Sequence, residues 1–505
     1  MLKNQCSAQN WSIFEAGENS AHRMNQNQYE AVIGLEVHIQ LLTKSKAYAA
    51  DPATFGSHPN SNISVITLGH PGTLPKVNKR SIEFAVKLGL ACGCSITREN
   101  QFARKNYFYA DLPKGYQITQ DKTPICTGGS IHIKTASVNR DINITRIHLE
   151  EDAGKSMHDQ DPYDSLIDLN RAGVPLLEMV SEPELTSAEE AGAYLTEVRK
   201  LVRYLDICDG NLEEGSMRCD ANISVRLVGE KELGTKVEVK NMNSIRNVMR
   251  AIDHEIQRQI KLCEAGVRID QETRSFDAVN GTTFTLRSKE KANDYRYFPE
   301  PDICPVIVDE SYIEKIRSEM PALPNELHKR FTQDFQLSEY DAGILTENKQ
   351  IALYFNELSS LTSNYKAAAN WINGPVKSWL NENGLEIESF PLKPAALAEL
   401  ISLIDAGQLN FSIASQRVFP ELLKSPDQSG IQIATANNWI QANDSNELRA
   451  WIDEALAKYP GKVEEYKAGK TGLIGLFMGE VMKISKGKAD PKSSSQLLKE
   501  VLDKA

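Results

Sequence analysis

Residues 33–40 read Ile-Gly-Leu-Glu-Val-His-Ile-Gln, with apolar and polar side chains alternating from Leu35 onward. A period of two predicts a β-strand that presents Glu36, His38 and Gln40 on one face and Leu35, Val37 and Ile39 on the other. Side chains two apart rise by about 6.7 Å along a strand, near enough for a carboxylate and an imidazole to converge on one cation. A solvated strand face has the same pattern, and this strand alone does not separate the two readings.

Working outward, the same period recurs from Tyr29 to Pro305, as in SIHIKTASV, MRCDANISVRL and TKVEVKN, punctuated by Gly, Asn, Asp and Pro. Two stretches, AEEAGAYLTEVRKLVRYL and SIRNVMRAIDHEIQRQIKL, repeat their apolar residues at helical spacing instead. The pattern predicts an α+β domain, a largely antiparallel sheet flanked by helices. After the Pro-rich PALPNE the texture turns to Ala, Leu, Lys and Glu and reads as helix to the end. The expected organisation is a sheet domain over 27–315, a helical domain over 316–430 and a helical tail over 431–505. Residues 1–26 lack the apolar core of a secretion signal and carry Glu15 and Glu18, so they read as a disordered extension.

A length of 505 residues exceeds what one core supports. No apolar run is long enough to cross a bilayer, which excludes membrane spanning. The net charge of −11 argues against a chain that coats nucleic acid, so an RNA contact would need a local basic surface. The stretch from Lys458 onward offers one, with ten lysines against six acidic residues. Within it Gly472, Gly475 and Gly479 make a smooth helix face, followed by Lys483, Lys486 and Lys488. That face suits RNA or a neighbouring helix equally on spacing alone. The eight cysteines lack Cys-x-x-Cys spacing and read as reduced thiols in a cytoplasmic protein.

Further acids stand where other strands end: Glu150, Glu151 and Asp152 in ITRIHLEEDAGKS, and Glu178 and Glu182 in PLLEMVSEPE. Clustered carboxylates are costly to bury without a cation, which favours a magnesium–nucleotide site if these segments meet. Strict alternation places Glu151 on the face of Ile147 and Leu149, so a bulge or strand end must intervene for it to be a ligand. The strand Met217–Arg226 gathers Arg218, Asp220, Asn222, Ser224 and Arg226 on one face, and Lys236, Glu238 and Lys240 repeat the arrangement. Such faces suit phosphate oxygens, and they equally describe surface salt-bridge ladders. Two partial matches fail. AGKS at 153–156 lacks the earlier glycine of a phosphate loop, Leu149 standing there, and CTGGS at 126–130 reads as a Gly-Gly hairpin turn.

Taken together, IGLEVHIQL, PGTLPKVNKRS, RKNYFYADLPKGYQI, HLEEDAGKS, LNRAGVPLLE, MRCDANIS, KVEVKNMNS and DYRYFPEPD resemble the B subunits of bacterial glutamyl/aspartyl-tRNA amidotransferases. The resemblance runs from about Tyr29 to the C-terminus. It implies a cradle domain similar to glutamine synthetase, a helical domain and a tail that engages tRNA. Residue by residue it implies a magnesium site of Glu36, His38, Glu151 and Glu178, with Arg218, Asp220, Asn222 and Lys240 at ATP. Some members bind zinc through cysteines after the first strand. That stretch holds none here, so zinc is not expected.

The implied reaction phosphorylates the side-chain carboxylate of mischarged Glu-tRNA(Gln) or Asp-tRNA(Asn) and amidates it. Ammonia would come from a glutaminase A subunit, with a small C subunit completing a heterotrimer, because no amidase signature or nucleophilic Cys–His pair is evident. The family's lysine in RKNYFY, near the mouth of an ammonia passage, is Lys105 here; it could equally be an ordinary salt-bridge partner of Glu151. A free-standing carboxylate–ammonia ligase and a non-catalytic tRNA scaffold are the competing expectations.

Overall fold

The computed structural model of this chain describes residues 28–158, 160–288, 295–440, 445–485, 489 and 491–504. The extension expected over residues 1–26, and Lys486 and Lys488 of the tail, lie outside them. The chain divides into two units at the junction of Leu323 and Pro324.

The first unit is α+β, as the periodicities predict. Its main sheet includes strands β1 (Tyr29–Gln40), β2 (Ala103–Asn106), β3 (Tyr116–Thr119), β4 (Cys126–Thr127), β5 (Ser130–Lys134), β6 (Asn139–Glu151), β7 (Pro175–Ser181), β8 (Met217–Leu227), β9 (Val237–Met242), β10 (Glu272–Asp277), β11 (Thr282–Ser288) and β12 (Phe298–Pro299). They lie in the order β11-β10-β9-β8-β1-β7-β6-β3-β2-β12, with β4 and β5 also paired to β6. Neighbours along this path are antiparallel except β9 and β10, which run parallel. Strand β1 is central, with Glu36 between Asp220 of β8 and Val180 of β7, and His38 between Arg218 and Glu178.

One face of the sheet is apolar. Leu35, Val37 and Ile39 of β1, Leu177 and Met179 of β7, and Ile147 and Leu149 of β6 are all buried in one core. Helices α1 (Lys79–Ala91), α2 (Ala188–Tyr204), α3 (Ile245–Glu264) and α4 (Glu310–Ser318) add their own apolar residues to it. Helix α2 starts where the Ser187 side chain accepts the Glu190 amide, with Glu189 and Glu190 in the first turn to complement the helix dipole. Helices α2 and α3 meet at Gly192, where an added Cβ would stand 2.6 Å from Met249 Sδ. Truncating a fully buried Leu or Ile of this core costs about 2–5 kcal/mol.

The segment CTGGS departs from expectation. Strands β4 and β5 both pair antiparallel with β6 in one register, Thr127 opposite Arg146 and Ser130 opposite Asn143. Gly128 and Gly129, with φ of 67° and 83°, therefore interrupt a single strand instead of reversing it. The hairpin joins β5 to β6. A Gly-Gly pair reverses the chain only when its flanking strands pair with each other, and here both find their partner in β6. Gly129 is also tightly placed, since a Cβ there would lie 2.5 Å from the Cys92 carbonyl oxygen.

The elements of the second unit, among the described residues, are helices joined by short loops. Two helices, Tyr365–Trp371 and Phe411–Ile413, run on into π-helical turns at Ile372–Val376 and Ala414–Val418. Helix Gly430–Ala436 starts in a capping box of Ser429 and Gln432, and the Glu399 carboxylate accepts the amides of Gly430 and Ile431 at 3.0 and 3.1 Å. The C-terminal helices have a separate small core of Leu448, Ile452, Phe477, Val481, Leu498 and Val501. Gly472 lies in a 3-10 turn, Thr471–Leu473, and Gly475 and Gly479 on the helix Ile474–Ile484 that follows; none of the three packs against another helix, since a Cβ at any of them would meet no atom within 4 Å. No helix among the described residues is long and apolar enough to cross a membrane.

Candidate active site

The polar face of the central strands carries the chemistry. Alternation along β6, β7, β1, β8 and β9 lines up His148, Glu150, Asp152, Glu178, Glu36, His38, Gln40, Arg218, Asp220, Asn222, Glu238 and Lys240. Two triads on it could each hold a cation, their ligand atoms lying within 4.8 Å of one another: His38 with Glu150 and Glu178, and Glu36 with Asp220 and Glu238.

In the first triad His38 Nε2 lies 3.2 Å from Glu178 Oε2, and Lys105 Nζ lies 3.6 Å from Glu150 Oε1. Burial alone would lower the His38 imidazole, but the Glu178 carboxylate outweighs it and the net shift is upward. Burial pushes the Glu150 carboxyl up, yet Lys105, His148 and His38 together hold it well below the usual carboxylate range. Glu178 is also held low against its burial, chiefly by His38. These acids are therefore ionised and dependent on nearby positive charge.

In the second triad, Glu36 Oε1 accepts from Asn222 Nδ2 at 2.8 Å. Burial, then Glu178 and Asp220, push the Glu36 carboxyl up. Lys240 is ion-paired to Asp220 and lies 3.0 Å from Glu238 Oε1. Beside both triads, Arg218 Nη1 donates to Asp152 Oδ2 at 2.9 Å, and Gln40 Nε2 donates to the same oxygen at 2.5 Å. Buried Asp152 is thus the brace that orients Arg218 over the face, and Arg218 and Arg171 hold its carboxyl low against burial.

Of the residues singled out in the sequence, this face brings together Glu36, His38, Glu178, Arg218, Asp220, Asn222, Lys240 and Lys105. It does not include Glu151. No bulge intervenes at the end of β6, where Glu151 stays in register opposite Pro175, so its side chain points to the other side. There it is buried, with Oε1 ion-paired to Lys114 and accepting the Ile118 amide at 2.9 Å. It borders a cavity of about 290 Å³ also lined by Lys46, Tyr48, Arg104 and Tyr116. Burial pushes the Lys46 ammonium down to about 8. The place in the triad expected for Glu151 is taken by its neighbour Glu150. The salt bridge considered between Lys105 and Glu151 is likewise made to Glu150.

The loop after β1 is closed by side chains. Asn60 and Asn62 donate their amides to Asp168 Oδ1 and Asn170 Oδ1 at 3.0 and 2.7 Å, and Ser64 and Thr67 donate their hydroxyls to Asp51. Cys126 is fully buried and its thiol is pushed up by that burial, which disfavours it as a nucleophile.

Residues 31–314 match the family profile of the GatB/GatE catalytic domain, and residues 353–502 match that of the GatB domain. The chain belongs to the GatB family. Relatives include the aspartyl/glutamyl-tRNA(Asn/Gln) amidotransferase subunits B of Thermodesulfovibrio yellowstonii, 49% identical over 94% of this chain and 99% of the relative. Those of Pelodictyon phaeoclathratiforme and Chlorobium limicola are 49% and 48% identical, over 93% and 94% of this chain and 98% and 100% of theirs. GatB membership agrees with the eight strings that suggested it, and the ligase class expected from them, carbon–nitrogen bond formation with glutamine as amido donor, is that of this family.

Proposed function

We propose that this chain performs the ATP-dependent half of tRNA-dependent amidation in the cytoplasm, converting Glu-tRNA(Gln), Asp-tRNA(Asn) or both to the amide. The observation that carries this is the convergence of two carboxylate-rich triads with Arg218, Lys240 and Lys105 on one face of a rigid sheet. A carboxylate resists ammonia because its leaving group would be oxide. Transfer of the γ-phosphoryl group of ATP to a side-chain oxygen releases ADP and makes that oxygen part of a phosphate leaving group. Ammonia then attacks the carbonyl carbon, the carbon–oxygen bond to phosphate breaks, and the nitrogen loses a proton.

A donor set of hard carboxylate oxygens and one imidazole, borne by adjacent strands, suits magnesium or manganese. Magnesium bound there would neutralise phosphoryl oxygens. Arg218 and Lys240, kept protonated by their acidic partners against burial, offset the charge on the transferring group. Asn222 and Asp220 stand beside them on β8 as hydrogen-bonding groups for the nucleotide. Lys105 lies over the Tyr295 ring and next to Glu150, and in this reading it would meet the incoming ammonia.

Glutamine hydrolysis belongs, in this reading, to an amidase-type A subunit, with a small C subunit in a heterotrimer. The lysine-bearing C-terminal helices with their open glycine face would engage the tRNA. The deciding experiment measures ATP hydrolysis by the assembled complex with glutamine and each mischarged tRNA. Stimulation by charged but not uncharged tRNA is expected. Hydrolysis indifferent to tRNA would favour a small-molecule ligase, and no hydrolysis a binding scaffold.

A further inference from the structure

His148 has no part in the reaction as described, yet it is buried beside the first triad. It stands directly opposite Glu178 in the register of β6 and β7 and is 4% exposed. Its Nε2 lies 3.3 Å from Glu150 Oε1 and 3.9 Å from Glu178 Oε1. His38 contacts the other oxygen of Glu178, so that carboxylate is flanked by two imidazoles. His148 Nδ1, by contrast, is buried without a hydrogen-bond partner.

We propose that His148 is a positioning residue, whose Nε2–H holds the Glu150 carboxylate in the orientation in which, with His38 and Glu178, it closes on a divalent cation. The inference rests on the cation reading given above. Glu150 Oε1 is taken up by Thr119 Oγ1 at 2.8 Å, by His148 and by Lys105, which leaves Oε2 for a cation. A donor held on one oxygen of a ligand carboxylate sets the direction of the other, as groups behind metal ligands do elsewhere. An apolar residue would avoid burying an unmet Nδ1. An imidazole at this position is therefore accounted for by its other nitrogen.

The test is manganese binding to the purified full chain, followed by the loss of the free Mn²⁺ EPR signal, without ATP or tRNA. Glutamine places its amide nitrogen where Nε2 stands, and asparagine places its own where Nδ1 stands. His148→Asn is expected to weaken binding about 10- to 100-fold, the usual effect of losing such a partner, while His148→Gln retains most of the affinity. Glu178→Gln serves as the control for the cation reading. Should Glu178→Gln bind Mn²⁺ like the wild type, that reading itself falls. Should Glu178→Gln lose binding while the Asn and Gln variants behave alike, whether intact or impaired, the positioning role is overturned.

Discussion

Glu150 and Glu151 are consecutive residues whose carboxylates lie on opposite sides of the sheet. Glu150 joins His38 and Glu178 on the polar face, and Glu151 is locked to Lys114 and the Ile118 amide behind it. Their substitutions should differ in kind. Glu150→Gln is expected to abolish Mn²⁺ binding and ATP turnover. Glu151→Gln should leave Mn²⁺ binding near that of the wild type and destabilise the fold. Breaking a buried ion pair costs about 3–5 kcal/mol because the remaining charge is left unpaired. Titration and thermal unfolding of both variants give the comparison, and equal loss of Mn²⁺ affinity would contradict it.

Arg218 is held by Asp152 and Gln40. If Arg218 contacts phosphate as proposed, replacing it with Gln would remove a charge-assisted contact worth about 1.5–3 kcal/mol, or roughly 10- to 100-fold in kcat/KM for ATP. Asp152→Asn should reproduce part of that loss because it frees the guanidinium without removing it. Steady-state kinetics at varied ATP would detect this, and an Asp152→Asn enzyme with unchanged parameters would deny the brace.

Lys105 sits beside Glu150. Lys105→Met should therefore lower ATP hydrolysis somewhat and glutamine-dependent amidation more, so that fewer amides form per ATP consumed. The isolated chain should hydrolyse no glutamine. Both follow from one assay of ADP, glutamate and amidated tRNA, and glutamine hydrolysis by this chain alone would refute the division of labour.

Lys46 supplies the pH dependence. Burial depresses its ammonium from 10.5 to about 8, so between those values the unfolded chain binds more protons than the folded one. Folded stability thus gains from this group as pH rises through that window, and below about 8 the full penalty of a buried charge applies. Lys46→Met lacks this term. The melting temperature of the wild type relative to Lys46→Met should rise from pH 8 to pH 10. A constant difference would mean that Lys46 does not titrate there.

The C-terminal helices share a core in which Leu448 and Ile452 meet Phe477 and Leu498. A cut at Lys458 would expose that core, so truncation after Trp439 is the cleaner test of tRNA engagement. The truncated chain should bind tRNA more weakly. Its salt dependence should also flatten, by about 0.7–0.9 in log–log slope for each phosphate that the shortened chain no longer neutralises. Unchanged affinity and slope would place the tRNA elsewhere.

The α+β class, the helical C-terminal unit and the polar face of β1 were legible in the sequence because period two and period 3.6 are local properties of the chain. The same alternation already set Glu150 and Asp152 apart from Ile147 and Leu149. Followed strictly, it selects Glu150 over Glu151 and includes His148. Family resemblance pointed to Glu151, and strand geometry placed it behind the sheet. Sequence could not decide which strands become neighbours. His38 is 140 residues from Glu178 in the chain and faces it only because β1 and β7 pair in one register. The turn residues of CTGGS mislead for the same reason, since their meaning depends on β6 as the partner of both flanking strands. Local residues thus determined which side of each strand is polar. Pairing between distant strands decided which polar groups meet, because hydrogen-bond register, and no property of any one segment, brings His38, Glu150 and Glu178 within reach of a single cation.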